Sequence, residues 1–558
     1  MPVRPLVRPD RLPGRTWLSA LLVAALLALC VAAPYAAAAS TMMAPACDGV
    51  NLRTSTSTTA TIKVRLGLSA RVTVVGTVSG SSWGTSCPGW KSGSGWYKVS
   101  HVNGKTVSSL YGVSYLYAAT GVLKAVTTTA PSPTPTPAPI ASPSPTASPS
   151  PTATPAPPTG ATALGANVTF YGKGWGHGVG LSQYGARGRA LAGQSTEAIL
   201  AHYFQGTTIG TVAAGSIIRV LILDDIVPTA TAPLTVFGRG GSWTISGVDA
   251  VFPADARLRL IPTVSGSTTT WRSVVDSAGT VLYDASSVAD MRVAGVTAAT
   301  TLQTLSKPTA YDLYRGTFRI ILSGARADVV NEVPLESYLR GVLPAEMPSS
   351  WPTEAQKAQA ITARSYAAYR LRSSLSTFDV YDDTRSQVYQ GVKRETSAAN
   401  AAIAATADRV LRSGSAIANA MFHSTAGGAT EHNENVYVSA TGSVIGSPVS
   451  YLRGASDRDG AGVSYDAGAP YATWQTKTYT LSALSAIFAA DSRTNVGTLS
   501  ALDLRKRGVS GRLIGVTLIG SLGTKTVSGS IFMSAFNAGK PSADASMRST
   551  LVDVAPLP

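Results

Sequence analysis

Hydrophobic and polar positions alternate with a period of two over short stretches of the early chain, at 71–75 and 96–99, and glycines interrupt them. Residues 44–124, rich in Val, Thr, Ser and Gly, are therefore predicted to form a small all-β unit. Beyond residue 165 the pattern changes. Strand-like runs at 216–223, 317–322 and 416–423 are interspersed with helical periodicity at 196–204, 352–372 and 395–411. The regular βα alternation of a doubly wound sheet is missing, so the prediction for 165–558 is one large α+β domain. The Val-, Thr- and Ser-rich stretch 229–310 reads as an insertion or extra β module.

Two further segments have no such pattern. Residues 131–158 hold twelve prolines among Ser, Thr and Ala with no charged or aromatic residue. They cannot bury a core, and residues 127–160 are read as an extended spacer reaching about 3 Å per residue. At the start, Arg4, Arg8, Arg11 and Arg15 precede an apolar run over 17–33 and an Ala-rich end before Ser40. This is the layout of a secretory signal peptide, assigned to residues 1–39. The run also approaches the length of a membrane span, so an uncleaved anchor is the competing reading.

Removal of that segment takes Cys30 with it and leaves Cys47 and Cys87, which in an exported chain read as one disulfide. The formal net charge falls from +16 to +13, since four Arg and one Asp are lost (16 − 4 + 1). A basic exported protein suits an anionic partner such as a cell-wall polymer, and equally an ordinary soluble surface. No basic run is interleaved with aromatics, which argues against nucleic acid.

Candidate chemistry gathers in three strings. Only eight glutamates occur, and seven lie between Glu332 and Glu434. One of them, Glu346, sits in a Pro-bracketed turn just ahead of the helix expected from Pro352, a favourable first-turn residue. Lys357 and Arg364, seven residues apart, project from one face of that helix. A cationic face beside a carboxylate either binds an acidic or hydroxyl-rich ligand or forms ion pairs of its own. The second string, 172–188, carries six glycines between Gly172 and Gly185 around Trp175, His177, Ser182, Gln183 and Tyr184. Such permissive backbone lets a loop approach a ligand or another segment, and without a terminal Gly-Lys-Ser/Thr it is not a phosphate loop. The third string runs from Met421 to Glu434. Its His423 and His432, nine residues apart, could be read as zinc ligands, but the spacing fits no standard pattern and no cysteine is available, so no cofactor is expected.

Val50-Asn51-Leu52-Arg53, Trp96-Tyr97-Lys98-Val99 and Val102-Asn103-Gly104-Lys105 resemble a bacterial SH3-like barrel of the cell-wall-targeting kind, which implies peptidoglycan binding. Trp83, Trp90 and Trp96 are either its ligand platform or its core. The later motifs resemble the SpoIID/LytB family, the stage II sporulation protein D and amidase-enhancer group. They are residues 330–336, Pro344-Ala345-Glu346-Met347-Pro348, Lys357-Ala358-Gln359-Ala360 with Arg364 and Tyr366, residues 423–428, and residues 174–180 with Ser182-Gln183. In the usual family order the Gly-His-Gly-Val-Gly string lies near the C-terminus, after a segment like Ser549-Thr550-Leu551. Here it opens the domain, as a circular permutation would place it, so residues near 170 and 550 are expected to be neighbours.

The resemblance implies a lytic transglycosylase acting on glycan strands, with Glu346 as the general acid. Lys357, Arg364, Tyr366, His423, Ser424, His177 and Gln183 are then the substrate-binding residues. A hydrolytic glycosidase ordinarily needs two carboxylates. A transglycosylase needs no activated water, because the muramic 6-hydroxyl attacks its own ring carbon, so one carboxyl can donate the first proton and accept the second. Burial behind Met347, Pro348 and Trp351 would raise its pKa for that task. The same resemblance admits a non-catalytic glycan binder that stimulates a separate cell-wall amidase, and a structural wall protein that has kept only the fold. All three imply a secreted or wall-associated protein.

Overall fold

The computed structural model describes residues 41–46, 50–66, 70–85, 91–125, 160–286, 288–371 and 376–557. The expected signal segment, Cys47, Cys87, Trp90 and all of the spacer except Gly160 lie outside them. Among the described residues no helix is long and apolar enough to cross a membrane. The chain forms two compact units, divided between Ala147 and Ser148.

The described residues of the first unit are all-β apart from one short helix, Val107–Tyr111. Its strands run in the order Ile62–Leu66, Val50–Arg53, Leu116–Ala119, Lys91–Val102, Val72–Thr85, Thr41–Pro45, Leu123–Ala125, and Lys105–Thr106 pairs beside Lys91–Val102. Alternate residues point inward, and Leu52, Val72, Val99 and Leu116 share one buried cluster. The barrel expected from the sequence is not closed among the described residues, because the two end strands of this order do not pair. The long hairpin of Val72–Thr85 and Lys91–Val102 accounts for this. Its neighbours pair only with Val72–Val74, Trp96–Val99 and His101–Val102, so the outer part of the ribbon has no third strand to curl onto. Trp83 and Trp96 are 8% and 2% exposed, and their indole N–H groups donate to the carbonyls of Gly95 and Ser81. Both belong to the interior.

The second unit mixes helices and sheets. A seven-stranded sheet runs Val251–Phe252, Trp243–Ile245, Met291–Gly295, Thr317–Ser323, Arg326–Pro334, Ile217–Ile226, Val380–Tyr381. A six-stranded sheet is built almost wholly from residues 234–304 and finishes on Leu313–Tyr314. The stretch read as an extra β module is thus woven into both sheets, and Trp243, Phe252, Leu258 and Leu302 lie in the same core as Phe318 and Val329.

Three helices pack on that core: Leu335–Glu346, Thr353–Tyr369 and Ser397–Ala405. In the first, Leu335, Tyr338, Leu339, Val342 and Leu343 are all buried, the i, i+3, i+4, i+7, i+8 stripe of a helix against a core. In the second, alanines at 355, 358, 360, 363, 367 and 368 are buried around most of the circumference, which lets neighbouring elements approach on several sides. A second core joins Phe170, Phe488, Leu518, Phe532 and Phe536. It ties the beginning of the unit to its end: Tyr171 and Gly172 pair with Asp553 and Val552, and the Lys173 carbonyl accepts from the Ser549 hydroxyl at 2.6 Å. Residues near 170 and 550 are neighbours, as the motif order led us to expect.

Candidate functional site

The helix Leu335–Glu346 corrects the reading of the catalytic candidate. Glu346 is not in a turn ahead of a helix but is the last residue of one, with Pro344 inside it. Proline removes one intrahelical donor, and the chain then leaves through Met347, whose N–H still bonds the Leu343 carbonyl at 2.9 Å. The following helix begins at Thr353, with Pro352 at the N-cap.

The glycine-rich loop supplies the opposite side. Gly174, Gly176, Gly178 and Gly180 all have positive φ, from +73° to +102°. At Gly180 a Cβ would stand 2.1 Å from the Met421 carbonyl oxygen, so only glycine lets the loop lie against the third string. Trp175 bridges Thr425, and Leu181–Ser182 then runs parallel to Phe422–His423. The Ser182 hydroxyl accepts from the amides of Gly185 and Ala426 at 3.1 and 3.2 Å. It caps the helix Gln183–Leu191 and ties that helix to the His423 segment at the same time.

Between these pieces lies a cleft of about 600 Å³ lined by Glu346, Gln183, His177, Tyr366, His423 and Ser424. Trp175, Tyr184, Trp351, Phe422 and Tyr437 give it aromatic walls, with the Tyr184 and Trp351 rings 4.6 Å apart. Such faces suit the apolar faces of sugar rings. Glu346 is the only carboxylate among the described residues that line it. The Val388 amide donates to Glu346 Oε1 at 2.8 Å, and the Gln183 amide nitrogen donates to the Glu346 carbonyl at 3.1 Å and to Oε2 at 3.4 Å. Burial pushes the Glu346 carboxyl up, against the opposing pull of the Val388 and Gln183 donors. Its place at a helix C-terminus, where the backbone carbonyls gather negative charge, acts in the same direction as burial.

Both cleft histidines are held neutral. His177 is lowered to about 4, by burial first and then by the nearby positive charge of Arg512. The Val179 amide donates to its Nδ1 at 3.0 Å. His423 is also pushed down by burial, then by His177 and Arg512. Its Nδ1 lies 3.2 Å from the Val179 carbonyl, which can only accept, so Nδ1 carries the proton and the buried Nε2 presents a bare lone pair.

The structure does not bring Lys357 or Arg364 into the cleft. Lys357 bonds Glu354 at 2.9 Å, one turn back on its own helix. Arg364 is completely buried and donates to both Glu336 oxygens at 2.6 and 2.8 Å and to the carbonyls of Arg409 and Ile403. Of the two readings left open for this cationic face, the ion-pair one describes both residues. His432 also lies outside the cleft, its Nδ1 accepting from the Gly454 amide at 2.7 Å. No three His, Cys, Asp or Glu side chains among the described residues gather closely enough to hold a metal. Five cleft residues escaped sequence reasoning, Thr384, Arg385, Ser386, Val388 and Tyr437. The Val388 amide is backbone and leaves no signature, whereas the other four belong to no motif that stood out.

Comparison with known proteins adds a partial match. Residues 323–412 match the SpoIID family, described as Stage II sporulation protein. An uncharacterized protein of Brachyspira hyodysenteriae is 36% identical over 126 residues, 22% of this chain and 34% of that protein. The amidase enhancer of Bacillus subtilis (strain 168) is 36% identical over 102 residues, 18% of this chain and 14% of its own. Stage II sporulation protein D of the same strain is 35% identical over 128 residues, 20% of this chain and 37% of its own. The chain thus spans little more than a third of the length of these relatives at most. No solved structure matches it. The family match covers the side of the cleft that holds Glu346 and Tyr366, and identifies a SpoIID-like segment at 323–412 within this chain.

Proposed function

We propose that this protein is a secreted peptidoglycan-remodelling enzyme, a lytic transglycosylase that cuts the MurNAc–GlcNAc bond of glycan strands and leaves 1,6-anhydro ends. The observation that carries the reading is the solitary carboxyl of Glu346, protonation-prone through burial, in an aromatic cleft with no second acid among its described lining. In this mechanism the Glu346 proton passes to the glycosidic oxygen as the bond to the muramic anomeric carbon breaks, releasing the GlcNAc 4-hydroxyl. The muramic 6-hydroxyl then bonds that carbon and returns its proton to the Glu346 carboxylate. No water is consumed, and the nucleophile is already tethered to its target, which gives it a high effective molarity.

Gln183 and the Val388 amide fix the orientation of the carboxyl, while His177 and His423, both neutral, add no positive charge that would favour its ionised form. The mechanism calls for no cofactor. Pairing of residues 171–172 with 552–553 supports the permuted motif order, because it puts the opening glycine string beside the C-terminal segment.

A second reading is a non-catalytic glycan binder that stimulates a cell-wall amidase. The Bacillus subtilis relative named amidase enhancer favours it, and an aromatic cleft can hold glycan without cutting it. The test is to incubate the purified chain, and a Glu346→Gln variant, with glycan strands that carry or lack peptide stems, and to search the soluble products by mass spectrometry. Anhydro-muramoyl ends released by the wild type alone support the enzyme. Glycan bound by both and cut by neither removes the enzyme and leaves amidase stimulation.

A further inference from the structure

Beyond the wall formed by Trp175, Gly176 and His177 lies a second chamber of about 410 Å³, which shares those three residues with the Glu346 cleft. Its chemistry differs. Arg512 and Arg548 line it, and no aspartate or glutamate does among the described residues. Arg512 is 1% exposed, donates to the carbonyls of Ala426 and Ala429, and keeps a buried Nε with no hydrogen-bond partner. Its guanidinium donates to those carbonyls and to the Ser510 hydroxyl and makes no direct ion pair among the described residues; the Glu431 and Asp466 carboxylates act on it only from beyond hydrogen-bond distance.

Arg548 is the group a ligand can reach. Its guanidinium lies 4.5 Å from the Tyr471 ring centre and 5.5 Å from that of Trp175, itself 43% exposed, and no carboxylate among the described residues pairs with it. Two aromatic faces hold such a cation in place without using its N–H donors. The backbone is fixed too, since the Gly176 amide donates to the Arg548 carbonyl at 3.0 Å. Ser530, in the first turn of the helix Gly529–Gly539, also lines the chamber, so the positive end of that eleven-residue helix adds to the same potential. An arginine pre-oriented by stacking, a second desolvated cation and a helix N-terminus favour one kind of ligand, a compact anion.

We infer that this chamber is an anion subsite in which Arg548 binds a carboxylate or phosphate carried by the saccharide in the neighbouring cleft. The inference rests on the glycan reading of the Glu346 cleft and deepens it, because it makes the second chamber select strands that bear a free acidic group there. Two sources have this chemistry: the lactyl carboxylate of a muramic residue and the phosphate of a glycerol phosphate polymer.

The experiment is direct binding of the full chain, by calorimetry at low and high salt, to N-acetylmuramic acid, N-acetylglucosamine and glycerol phosphate. The Arg548→Gln, Arg548→Lys and Glu346→Gln variants are compared alongside. The muramic sugar is expected to bind at least about tenfold more tightly than N-acetylglucosamine, the scale of one charge-assisted hydrogen bond. That preference should vanish in Arg548→Gln, persist in part in Arg548→Lys, weaken in salt and survive in Glu346→Gln, which separates it from catalysis. Thermal melts check that each variant is folded. Glycerol phosphate binding that needs Arg548, with neither sugar bound, would keep the anion subsite and remove the glycan. A wild type without preference, a preference unchanged in folded Arg548→Gln, or no binding of any of the three overturns the inference.

Discussion

Replacing Arg364 with methionine separates a structural from a ligand-binding role at a position that sequence reasoning assigned to substrate. The guanidinium is wholly buried and makes four hydrogen bonds: two to Glu336, and one each to the carbonyls of Arg409 and Ile403. Methionine keeps most of the apolar stem but takes both charged donors from Glu336, which retains only the Asp408 amide at 3.4 Å, and one donor each from the carbonyls of Arg409 and Ile403, the latter still accepting from Thr406. Breaking a buried ion pair from one side costs about 3–5 kcal/mol. The Glu336 side chain is 29% exposed and can recover some hydration, which places the expected loss near the lower end, about 3 kcal/mol, or roughly a hundredfold in the folding equilibrium. Urea unfolding followed by tryptophan fluorescence reads this loss, and a cycle with Glu336→Gln should show the double variant less destabilised than the sum of the singles. Binding of glycan strands per folded molecule should be unchanged. A folded Arg364→Met protein of wild-type stability that no longer binds glycan would refute the reasoning and return Arg364 to the ligand.

Three other perturbations test separate parts of the account. The Glu346 carboxyl is raised above 4.5 in the folded state, so as pH climbs from there the unfolded chain gives up its proton first and stability falls until the folded group has also ionised. Glu346→Gln abolishes that fall, and thermal melts should show it more stable than wild type at neutral pH, with the gap closing below the unfolded value; a gap independent of pH contradicts the shift. Gly180→Ala puts a Cβ 2.1 Å from the Met421 oxygen at φ +73° and should cost upwards of about 2 kcal/mol and abolish glycan binding, whereas Gly193→Ala, at φ +82° with nothing nearby, should cost only about 1 kcal/mol of backbone strain and leave binding intact. Proton NMR of the His177 ring should give a midpoint of about 4 and no change between pH 5 and 8; a midpoint near 6.5 would show the ring solvated and the cleft open.

What could be read from the sequence followed local rules. The helix predicted at 196–204 is found at Thr196–Tyr203, capped by the Ser195 hydroxyl, and the strand predicted at 317–322 is found at Thr317–Ser323. The helix predicted at 395–411 stops at Ala405, and the chain turns through Asp408, at φ +59°, into the strand Arg409–Ser413. The helix ending at Glu346 was hidden because Pro334, Pro344 and Pro348 read as breakers. Its buried stripe from Leu335 to Leu343 overrides the one proline inside it. Lys357 and Arg364 share a helix face as their spacing requires, but spacing carries no information on partners. Glu354 was legible as an i, i+3 neighbour of Lys357, whereas Glu336 reaches Arg364 only through the packing of two helices. Likewise the approach of His177, Gln183, Glu346 and His423 depends on contacts between segments far apart in the chain. Motif resemblance grouped them before the fold was known, and the parallel pairing of Leu181–Ser182 with Phe422–His423 is what joins two of the strings.

The central claim is that one carboxyl, Glu346, breaks the glycosidic bond without water. Digestion of glycan strands in water enriched in oxygen-18, with the new ends analysed by mass spectrometry, tests it most directly. The account predicts anhydro-muramoyl ends that carry no heavy oxygen, formed by the wild type and not by Glu346→Gln. Reducing ends that carry the label, or anhydro ends still formed by Glu346→Gln, would contradict it.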